Sequence, residues 1–599
     1  MDNKKEFKPF IPADKVMPEF TVASVIIGLI LAVIFGAANA YLGVRVGMTV
    51  SASIPAAVIS MGVIRVIMKK DSILENNMVQ TIGSAGESLA AGAVFTLPAI
   101  FMWAKEGKAT SPSFITIALI ALCGGILGVL FMVPLRTALI VEEHGTLPYP
   151  EGTACAEVLL AGEEGGSKSK LVFSGLGISA VYKFIADGLC LFPSEVDFSF
   201  KGSYTCAVGM DVLPALSGVG YICGPKVSSY LFAGGILSYL VLMPAIAFFG
   251  GDSLSSVADD AGNLLPFNQL DPGTIWSKYI RYIGAGAVAA GGIISLIKTL
   301  PTMFRTFKSA IKGFGKNVSG GDRTQQDLPI SVVLIGSLVI AAGMWLIPEI
   351  PVSLLGALLI VVFGFFFATV SSRMVGIVGS SNNPVSGMAI ATLILTSFVL
   401  KATGSTGSAG MIAAISIGTV ICIIAAMAGD TSQDLKTGYI VGATPVKQQI
   451  GELLGAVVAA LTIGGVLYIL SKAWGGFGSA QLPAPQASLM KMVVEGVMGG
   501  TLPWVLIIVG AFIAIVVEIL GIPVLAFAIG LYLPIHLSTP IMLGGAVRWI
   551  IEKRKYSSEK EQKESVDKGV LYSAGMIAGE GNVGILLAIF AVAKLDGKI

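Results

Sequence analysis

The chain has 599 residues, of which 54% are hydrophobic and only 13% are charged. A soluble globular protein carries about 25% charged residues, so this composition predicts a polytopic membrane protein. The net charge of +2 excludes a bulk electrostatic attraction to nucleic acid. The six cysteines are scattered without a CxxC pair, which predicts neither a disulfide framework nor a zinc site.

Apolar runs follow one another along the chain, and spanning a bilayer requires roughly 20 apolar residues. The windows 136–162 and 521–550 are too broken for one clean span and could each hold two short helices. The pattern predicts an all-α membrane protein with about 16 transmembrane helices. The candidate spans are 20–42, 48–68, 78–104, 113–135, 171–192, 205–225, 228–250, 276–300, 328–347, 352–372, 384–402, 410–428, 448–471, 503–520 and 569–593.

Lysine and arginine concentrate in the N-terminal tail 1–19, in the loop 301–327 and in the segment 551–568. By the positive-inside rule these segments face the cytoplasm. The loops separate a first transmembrane half, 20–300, from a second, 328–599. No cleavable signal peptide precedes the first span. No GxxxxGK[ST] phosphate-binding loop occurs, so any transport must draw its energy from an ion gradient.

The two halves contain similar segments. Residues 133–154 (VPLRTALIVEEHGTLPYPEGTA) resemble residues 522–545 (IPVLAFAIGLYLPIHLSTPIMLGG), since each has an apolar run, a break with a histidine, an x-Pro step and glycine. Weaker echoes pair 43–47 with 376–379. Such echoes favour two pseudo-repeated halves with broken or re-entrant helices around a central site. The relative orientation of the repeats stays open.

Polar groups within the apolar runs of the first half mark candidate sites, because such groups are costly in a membrane. Arg45, in the glycine-broken stretch 39–53, is a candidate to hold a substrate carboxylate; the alternative is a structural arginine that reaches the membrane edge. Gln80 and Glu87 share one face of a predicted helix. Gln80 is assigned to the substrate. Glu87 is a candidate for proton coupling, and the alternative is a hydrogen-bonded packing residue.

The segment 142–157 (EEHGTLPYPEGTACAE) holds four carboxylates and one of the two histidines between apolar runs. Irregular charged backbone at membrane depth is tolerated only where it is buried in protein or lines a cavity. Tyr149, Glu151 and Glu157 are therefore assigned to substrate binding, and the alternative is a solvated loop. With two histidines and no HExxH pattern in the chain, no metal ligand is assigned.

Three polar segments interrupt the second half: 379–387 (GSSNNPVSG), 430–439 (DTSQDLKTGY) and 579–582 (GEGN). An amide-rich turn and a dense polar knot favour a gating or binding role; alternatively, Asp434 and Lys436 neutralise each other. A glutamate between two glycines needs a partner or a proton; the alternative is a pair of helix-packing glycines with a glutamate whose hydrogen bonds are satisfied. The candidates are Asn382, Asn383, Gln433, Lys436 and Tyr439 for the substrate, and Asp434 and Glu580 for proton coupling, with Glu518 a weaker case.

Six segments together resemble the oligopeptide transporter family, in its yellow-stripe-like branch and bacterial relatives. The resemblance implies a secondary transporter of short peptides or peptide-like metal chelates, usually driven by protons. Plant members have a histidine where this chain has Glu157, and the NPG and KIPPR hallmarks of the fungal branch are absent. The segments are 43–56, 75–90, 147–157, 433–445, 522–535 and 575–585.

We therefore expect a proton-coupled importer of short peptides or related chelates in a bacterial inner membrane, with no cofactor and no enzymatic activity. Arg45 and Lys436 would hold substrate carboxylates, and Glu157 would meet the amine. The expected partners are the substrate, a coupling ion (H⁺) and membrane lipid; a homodimer is left open and nucleic acid is not expected. The alternatives are a passive channel and an intramembrane hydrolase, although the paired aspartates, GxSxG and HExxH of such hydrolases are absent.

Overall fold

The computed structural model is almost entirely α-helical, with one two-stranded sheet in the described part of the chain. Within that part, 11 helical segments are long and apolar enough to cross a membrane. The prediction of an all-α polytopic membrane protein is confirmed, whereas the number of crossings stays a prediction. The structure describes all residues except 1–6, 48, 69–71, 164–168, 202–203, 213, 252, 254–264, 314–321, 381–382, 384, 500–502 and 593–599.

Helix ends in the first half follow local sequence. Helix α1 begins with a capping box, in which the side chains of Thr21 and Ser24 each accept a hydrogen bond from the other residue's backbone N–H, and it ends at Gly47 with φ of +75°. The elements of this half are α1 Val22–Val46, α2 Ser53–Met61, α3 Ile73–Val94, α4 Pro98–Lys105, α5 Phe114–Met132, α6 Pro150–Glu163, α7 Ser169–Lys183, β1 Glu195–Phe200, β2 Cys206–Asp211, α8 Pro214–Ile236, α9 Met243–Gly250, α10 Pro272–Ile275 and α11 Arg281–Gly313.

In the second half, the broken window 521–550 forms two helices that meet at Pro534. Proline lacks a backbone donor and is therefore favoured at such a junction. The helices are α12 Ile330–Leu346, α13 Leu354–Val378, α14 Val385–Ala402, α15 Gly407–Val441, α16 Pro445–Lys472, α17 Pro485–Met498, α18 Trp504–Ile519, α19 Val524–Tyr532, α20 Ile535–Lys553 and α21 Glu559–Val592.

The predicted span 205–225 is wrong at its N-terminal end, which forms strand β2 of an antiparallel hairpin. The sequence EVDFSF of β1 alternates acidic or hydroxyl residues with apolar ones, which is the period of a strand. The remainder of the window forms the start of α8, which is kinked at Gly224, where φ is +84°.

The two most buried membrane-length segments are also rich in polar side chains. In the segment Ile73–Lys105, which contains α3, 94% of the most apolar window is buried, and the value for α15 is 83%. The corresponding value for Arg323–Leu346 is only 17%. Because α3 and α15 are enclosed by other helices, their polar groups avoid lipid and can face one another.

Glycines allow several pairs of helices to approach closely. At the crossing of α1 and α3, a Cβ on Gly86 would overlap the backbone of Ala32. At the crossing of α8 and α20, a Cβ on Gly220 would overlap Ile541, and one on Gly544 would overlap Ser217. Small residues at interfaces are typical of membrane helices, where close van der Waals packing replaces the hydrophobic effect.

The described part of the N-terminal tail lies along the C-terminal end of α15. The backbone N–H groups of Phe10 and Ile11 donate to the carbonyls of Ile440 and Val441, both at 3.0 Å. Glu19 accepts a hydrogen bond from the backbone N–H of Thr444 at 2.9 Å. The tail is therefore a packed element of the fold along these residues.

Candidate functional site

A cavity of about 230 Å³ lies between α3 and α15. Glu87 and Ser88 of α3 line one side, and Asp430 of α15 lines another. Asn383, which precedes α14, and Gln486 of α17 add amide groups, and the hydroxyl residues of the lining are Thr49, Ser51, Ser380 and Ser386. The cavity thus joins the polar window 75–87 of the first half to two polar segments of the second.

Hydrogen-bond acceptors without partners surround this cavity. Asp430 Oδ2, Asn383 Oδ1 and Gln486 Oε1 are buried and have no hydrogen-bond donor among the described residues. Asn383 uses its amide nitrogen to donate to Ser371 Oγ at 2.7 Å, which leaves its oxygen for another group. Buried polar atoms are almost always hydrogen-bonded in folded proteins. The lining therefore favours a ligand that brings N–H donors or a positive charge.

A cluster of three buried carboxylates, Asp430, Asp434 and Glu452, adjoins the cavity. One oxygen from each lies within 4.8 Å of the others. Asp434 accepts hydrogen bonds from Ser84 Oγ at 2.5 Å and from Gln80 Nε2. Among the described residues, no hydroxyl or N–H group donates to either oxygen of Glu452, which faces Asp434. Burying several ionised carboxylates together is prohibitively costly unless protons or cations compensate their charge.

The segment 149–152 (YPEG) is fastened to α13 and α15. Tyr149 has φ of +49°, its backbone N–H donates to Gly376 O at 2.9 Å, and its hydroxyl donates to a carbonyl of α13. Gln433 Nε2 donates to Glu151 Oε2 at 2.8 Å, and Gln433 Oε1 accepts from Gly152 N at 2.8 Å. Of the sequence-predicted substrate ligands, Glu151 and Gln433 thus bond to each other, whereas Tyr149 bonds to α13.

Gly379 ends α13 directly against this segment. Its φ and ψ are +85° and 164°, a backbone region almost exclusive to glycine. A Cβ at this position would lie 2.6 Å from both carboxylate oxygens of Glu151.

We expect Gly379→Ala to destabilise the protein more than Gly404→Ala, its matched control. Gly404 has the same φ of +85°, but its added Cβ would meet nothing within 4 Å. A side chain in a sparsely populated backbone region with positive φ costs about 1–3 kcal/mol, and overpacking adds about 1–3 kcal/mol. Thermal unfolding in detergent measures both variants. Equal losses of stability would show that the contact with Glu151 has no weight.

Lys436 binds the loop that precedes this segment. Its Nζ lies 2.9 Å from His144 Nδ1 and donates to Leu147 O at 3.0 Å. Asp434 has different partners, so the alternative in which Asp434 and Lys436 neutralise each other does not describe this structure. In the loop, burial and the nearby Lys436 ammonium lower the pKa of His144, which favours a neutral ring that accepts from Lys436. The His144 ring also packs against Tyr439.

Arg45 belongs to a second, separate polar cluster. Its guanidinium lies 2.7 Å from Asp211 Oδ2 and 3.9 Å from Glu580 Oε1, and all three side chains are buried. Glu580 also accepts a hydrogen bond from Ala215 N at 2.7 Å. Arg45 and Asp211 line a cavity of about 740 Å³ that extends to the β-hairpin.

Three sequence-predicted positions lie outside these clusters. Glu157 has an exposed side chain on α6. Glu518 pairs with Lys298 at a partly exposed position. Asn382 falls outside the described residues.

Sequence reasoning missed Glu452, Gln486 and Asp211. Glu452 follows Lys447, Gln448 and Gln449 near the start of α16. In the sequence it therefore looks like an ordinary charged residue at a helix end. Only the distances between helices reveal that Glu452 faces Asp434 and that Asp211 faces Arg45.

A polar cavity and a buried acidic cluster, enclosed by helices that are long and apolar enough to cross a membrane, are typical of membrane transport proteins. The chain belongs to the oligopeptide transporter family, because the model of the family "OPT oligopeptide transporter protein" matches residues 19–591. This match confirms the resemblance recognised in the sequence. Because the family is one of transporters, it also confirms the prediction that the protein is not an enzyme.

Named relatives fall in two groups. A Haemophilus influenzae protein named "Putative oligopeptide transporter" is 32% identical over 607 residues, covering 93% of each chain. A metal-nicotianamine transporter of Arabidopsis thaliana is 25% identical and covers 80% of this chain and 75% of its own. A "Probable metal-nicotianamine transporter" of Oryza sativa subsp. japonica is 25% identical, covering 79% of this chain and 69% of its own.

Proposed function

We propose that this protein imports short peptides or peptide-like metal chelates across a bacterial inner membrane, driven by a proton gradient. The observation that carries the proposal is the set of unpartnered acceptors and carboxylates around the cavity between α3 and α15. Peptides and amino-acid-derived chelators both carry amino groups. The names of the relatives support these two substrate classes.

The substrate's ammonium group binds in the cavity between Glu87 and Asp430. Asn383 Oδ1 and Gln486 Oε1 accept hydrogen bonds from the ammonium or from a following amide N–H. In a cavity of about 230 Å³, only the amino end and its first residues fit. The rest of a longer substrate therefore occupies space that opens when the helices move during alternating access.

The coupling proton is shared by the carboxylates around this cavity, which are Glu87 in its lining and the acidic cluster that adjoins it. Asp430 belongs both to the cavity lining and to the carboxylate cluster, which links substrate charge to proton occupancy. A proton on Asp434 or Glu452 lowers the negative charge next to Asp430. Glu580, in the other cluster, is a further proton-coupling candidate from the sequence. It is a weaker candidate than Asp434, because the Arg45 guanidinium 3.9 Å away favours its ionised form.

Uptake into proteoliposomes tests the proposal. Reconstituted protein is supplied with di- to hexapeptides and with iron or nickel chelates, under an inward proton gradient and without one. Saturable accumulation of intact substrate that requires the gradient is expected. Uptake that only equilibrates would support a passive channel, and cleaved substrate would support a hydrolase; either result would overturn the proposal.

Glu87→Gln is expected to uncouple uptake from the pH gradient. The substitution keeps the shape of the side chain and its contact with Ala52 N, which lies 3.4 Å from Glu87 Oε2, but it removes the titrating group. The measurement is the pH dependence of the initial uptake rate, with Glu87→Asp as the variant that retains a carboxylate. Unchanged pH dependence in Glu87→Gln would remove Glu87 from the coupling role.

A further inference from the structure

His536 is a buried histidine that neither the fold nor the proposed transport uses. It lies in the first turn of α20 and is only 7% exposed. Its Nε2 atom has no hydrogen-bond partner among the described residues. A buried imidazole nitrogen without a partner is uncommon and requires an explanation.

The β-hairpin presents two carboxylates to this ring. Side chains at positions 195, 197 and 199 of β1 lie on the same face of the hairpin as those at 207, 209 and 211 of β2. On β2, this face is buried. Strand β2 packs against α20. Glu195 and Asp197 therefore project from the hairpin on the side where His536 lies.

Gly209 makes room for one of these carboxylates. It pairs directly with Asp197 across the hairpin. A Cβ on Gly209 would overlap Asp197 Oδ1. The absence of a side chain at position 209 thus lets Asp197 fold over the strand towards α20.

The three side chains surround a space of ionic dimensions. His536 Nε2 lies 3.9 Å from Glu195 Oε1, and His536 Nδ1 lies 3.8 Å from Asp197 Oδ2. Both distances are too long for hydrogen bonds. One ligand atom from each of the three residues lies within 4.8 Å of the other two. An ion binds only one of the two ring nitrogens, and two ligands at about 2.0–2.2 Å from an ion lie at most about 4.4 Å apart. A small shift of the exposed Asp197 side chain therefore brings the three groups within reach of one ion.

We propose that Glu195, Asp197 and His536 form a binding site for a divalent transition-metal ion, such as Zn²⁺ or Mn²⁺, that joins the hairpin to α20. One imidazole nitrogen and two carboxylate oxygens suit these ions. The two carboxylates balance the ionic charge, and water completes the coordination. The site is distinct from the cavity between α3 and α15, so it stands independently of the proposed transport mechanism.

Equilibrium dialysis of the full-length protein against ZnCl₂, after removal of metal with EDTA, tests the site. The affinity tag must lack histidine, because the chain contains only two histidines. We expect one ion per chain in the wild type. We also expect a loss of affinity of roughly 10–100-fold or more in His536→Gln and in Glu195→Gln. His144→Gln is the matched control and should bind as the wild type does.

Proteolysis separates a metal-linked hairpin from adventitious surface binding. Lys201 lies after β1 with an exposed side chain, so trypsin can cleave the hairpin there. Zn²⁺ is expected to slow this cleavage in the wild type and to leave its rate unchanged in His536→Gln. Absence of binding at 100 µM Zn²⁺, or binding that the two variants do not weaken, would overturn the proposal. A gel-filtration profile and an unfolding midpoint equal to those of the metal-free wild type show that each variant is folded.

Discussion

Asp434→Asn is expected to abolish proton-driven accumulation of substrate while leaving substrate exchange nearly intact. If Asp434 holds the coupling proton, an asparagine removes the titratable carboxyl group from this position. A gradient of one pH unit supplies about 1.4 kcal/mol per proton, which corresponds to roughly tenfold accumulation. We expect the variant to lose this accumulation completely. Exchange between internal and external substrate needs no net proton movement and should continue.

The environment of Asp434 allows this substitution without loss of the fold. Gln80 donates to Asp434 through Nε2, and its own Oε1 has no partner among the described residues. If the Gln80 amide rotates by half a turn, its oxygen accepts from the new asparagine amide. Ser84 Oγ continues to donate to the remaining asparagine oxygen.

Glu518→Gln is the control for Asp434→Asn. Glu518 is also a carboxylate at the end of an apolar run, but it pairs with Lys298 at a partly exposed position. Its accumulation and exchange should match those of the wild type. Accumulation by Asp434→Asn equal to that of the wild type would place the coupling proton elsewhere, with Glu87, Glu452 and Glu580 the next positions to test.

The sequence predicts the part of this architecture that depends on hydrophobicity. Apolar runs of membrane length, separated by charged loops, identify an all-α membrane protein because the bilayer leaves few alternatives. The polar windows of α3 and α15 stand out for the same reason, since Glu87 and Asp430 interrupt long apolar stretches. Both residues line the cavity between α3 and α15.

The partners of the polar residues could not be predicted, because contacts between distant helices leave no local pattern. Tyr149, Glu151 and Gln433 fall in conspicuous windows, yet the first two fasten their segment to α13 and α15. The ammonium group of Lys436 contacts His144 Nδ1 and Leu147 O of a loop rather than a carboxylate. Hydropathy also failed to reveal the hairpin. The sequence CAVGMD of β2 is apolar enough to be included in the predicted span 205–225.

Arg45→Gln is expected to destabilise the protein by about 3–5 kcal/mol, since removing one partner of a buried ion pair leaves an uncompensated charge. The cost falls mainly on buried Asp211, which lies 2.7 Å from the guanidinium, and less on buried Glu580, which lies 3.9 Å away and also accepts a hydrogen bond from Ala215 N. Adding Asp211→Asn should restore most of the stability, because a neutral pair no longer carries that cost. Unfolding midpoints of the two single variants and the double variant, measured in detergent, provide the comparison.

Uptake by the double variant Arg45→Gln/Asp211→Asn then decides the role of Arg45. The sequence assigns this residue to a substrate carboxylate, whereas the structure surrounds its guanidinium with two carboxylates of the protein itself. If the ion pair is structural, uptake recovers together with stability. If Arg45 binds substrate, the double variant is stable but needs a much higher substrate concentration for half-maximal uptake. We expect the first result, because two buried carboxylates within 4 Å already compensate the charge of the guanidinium.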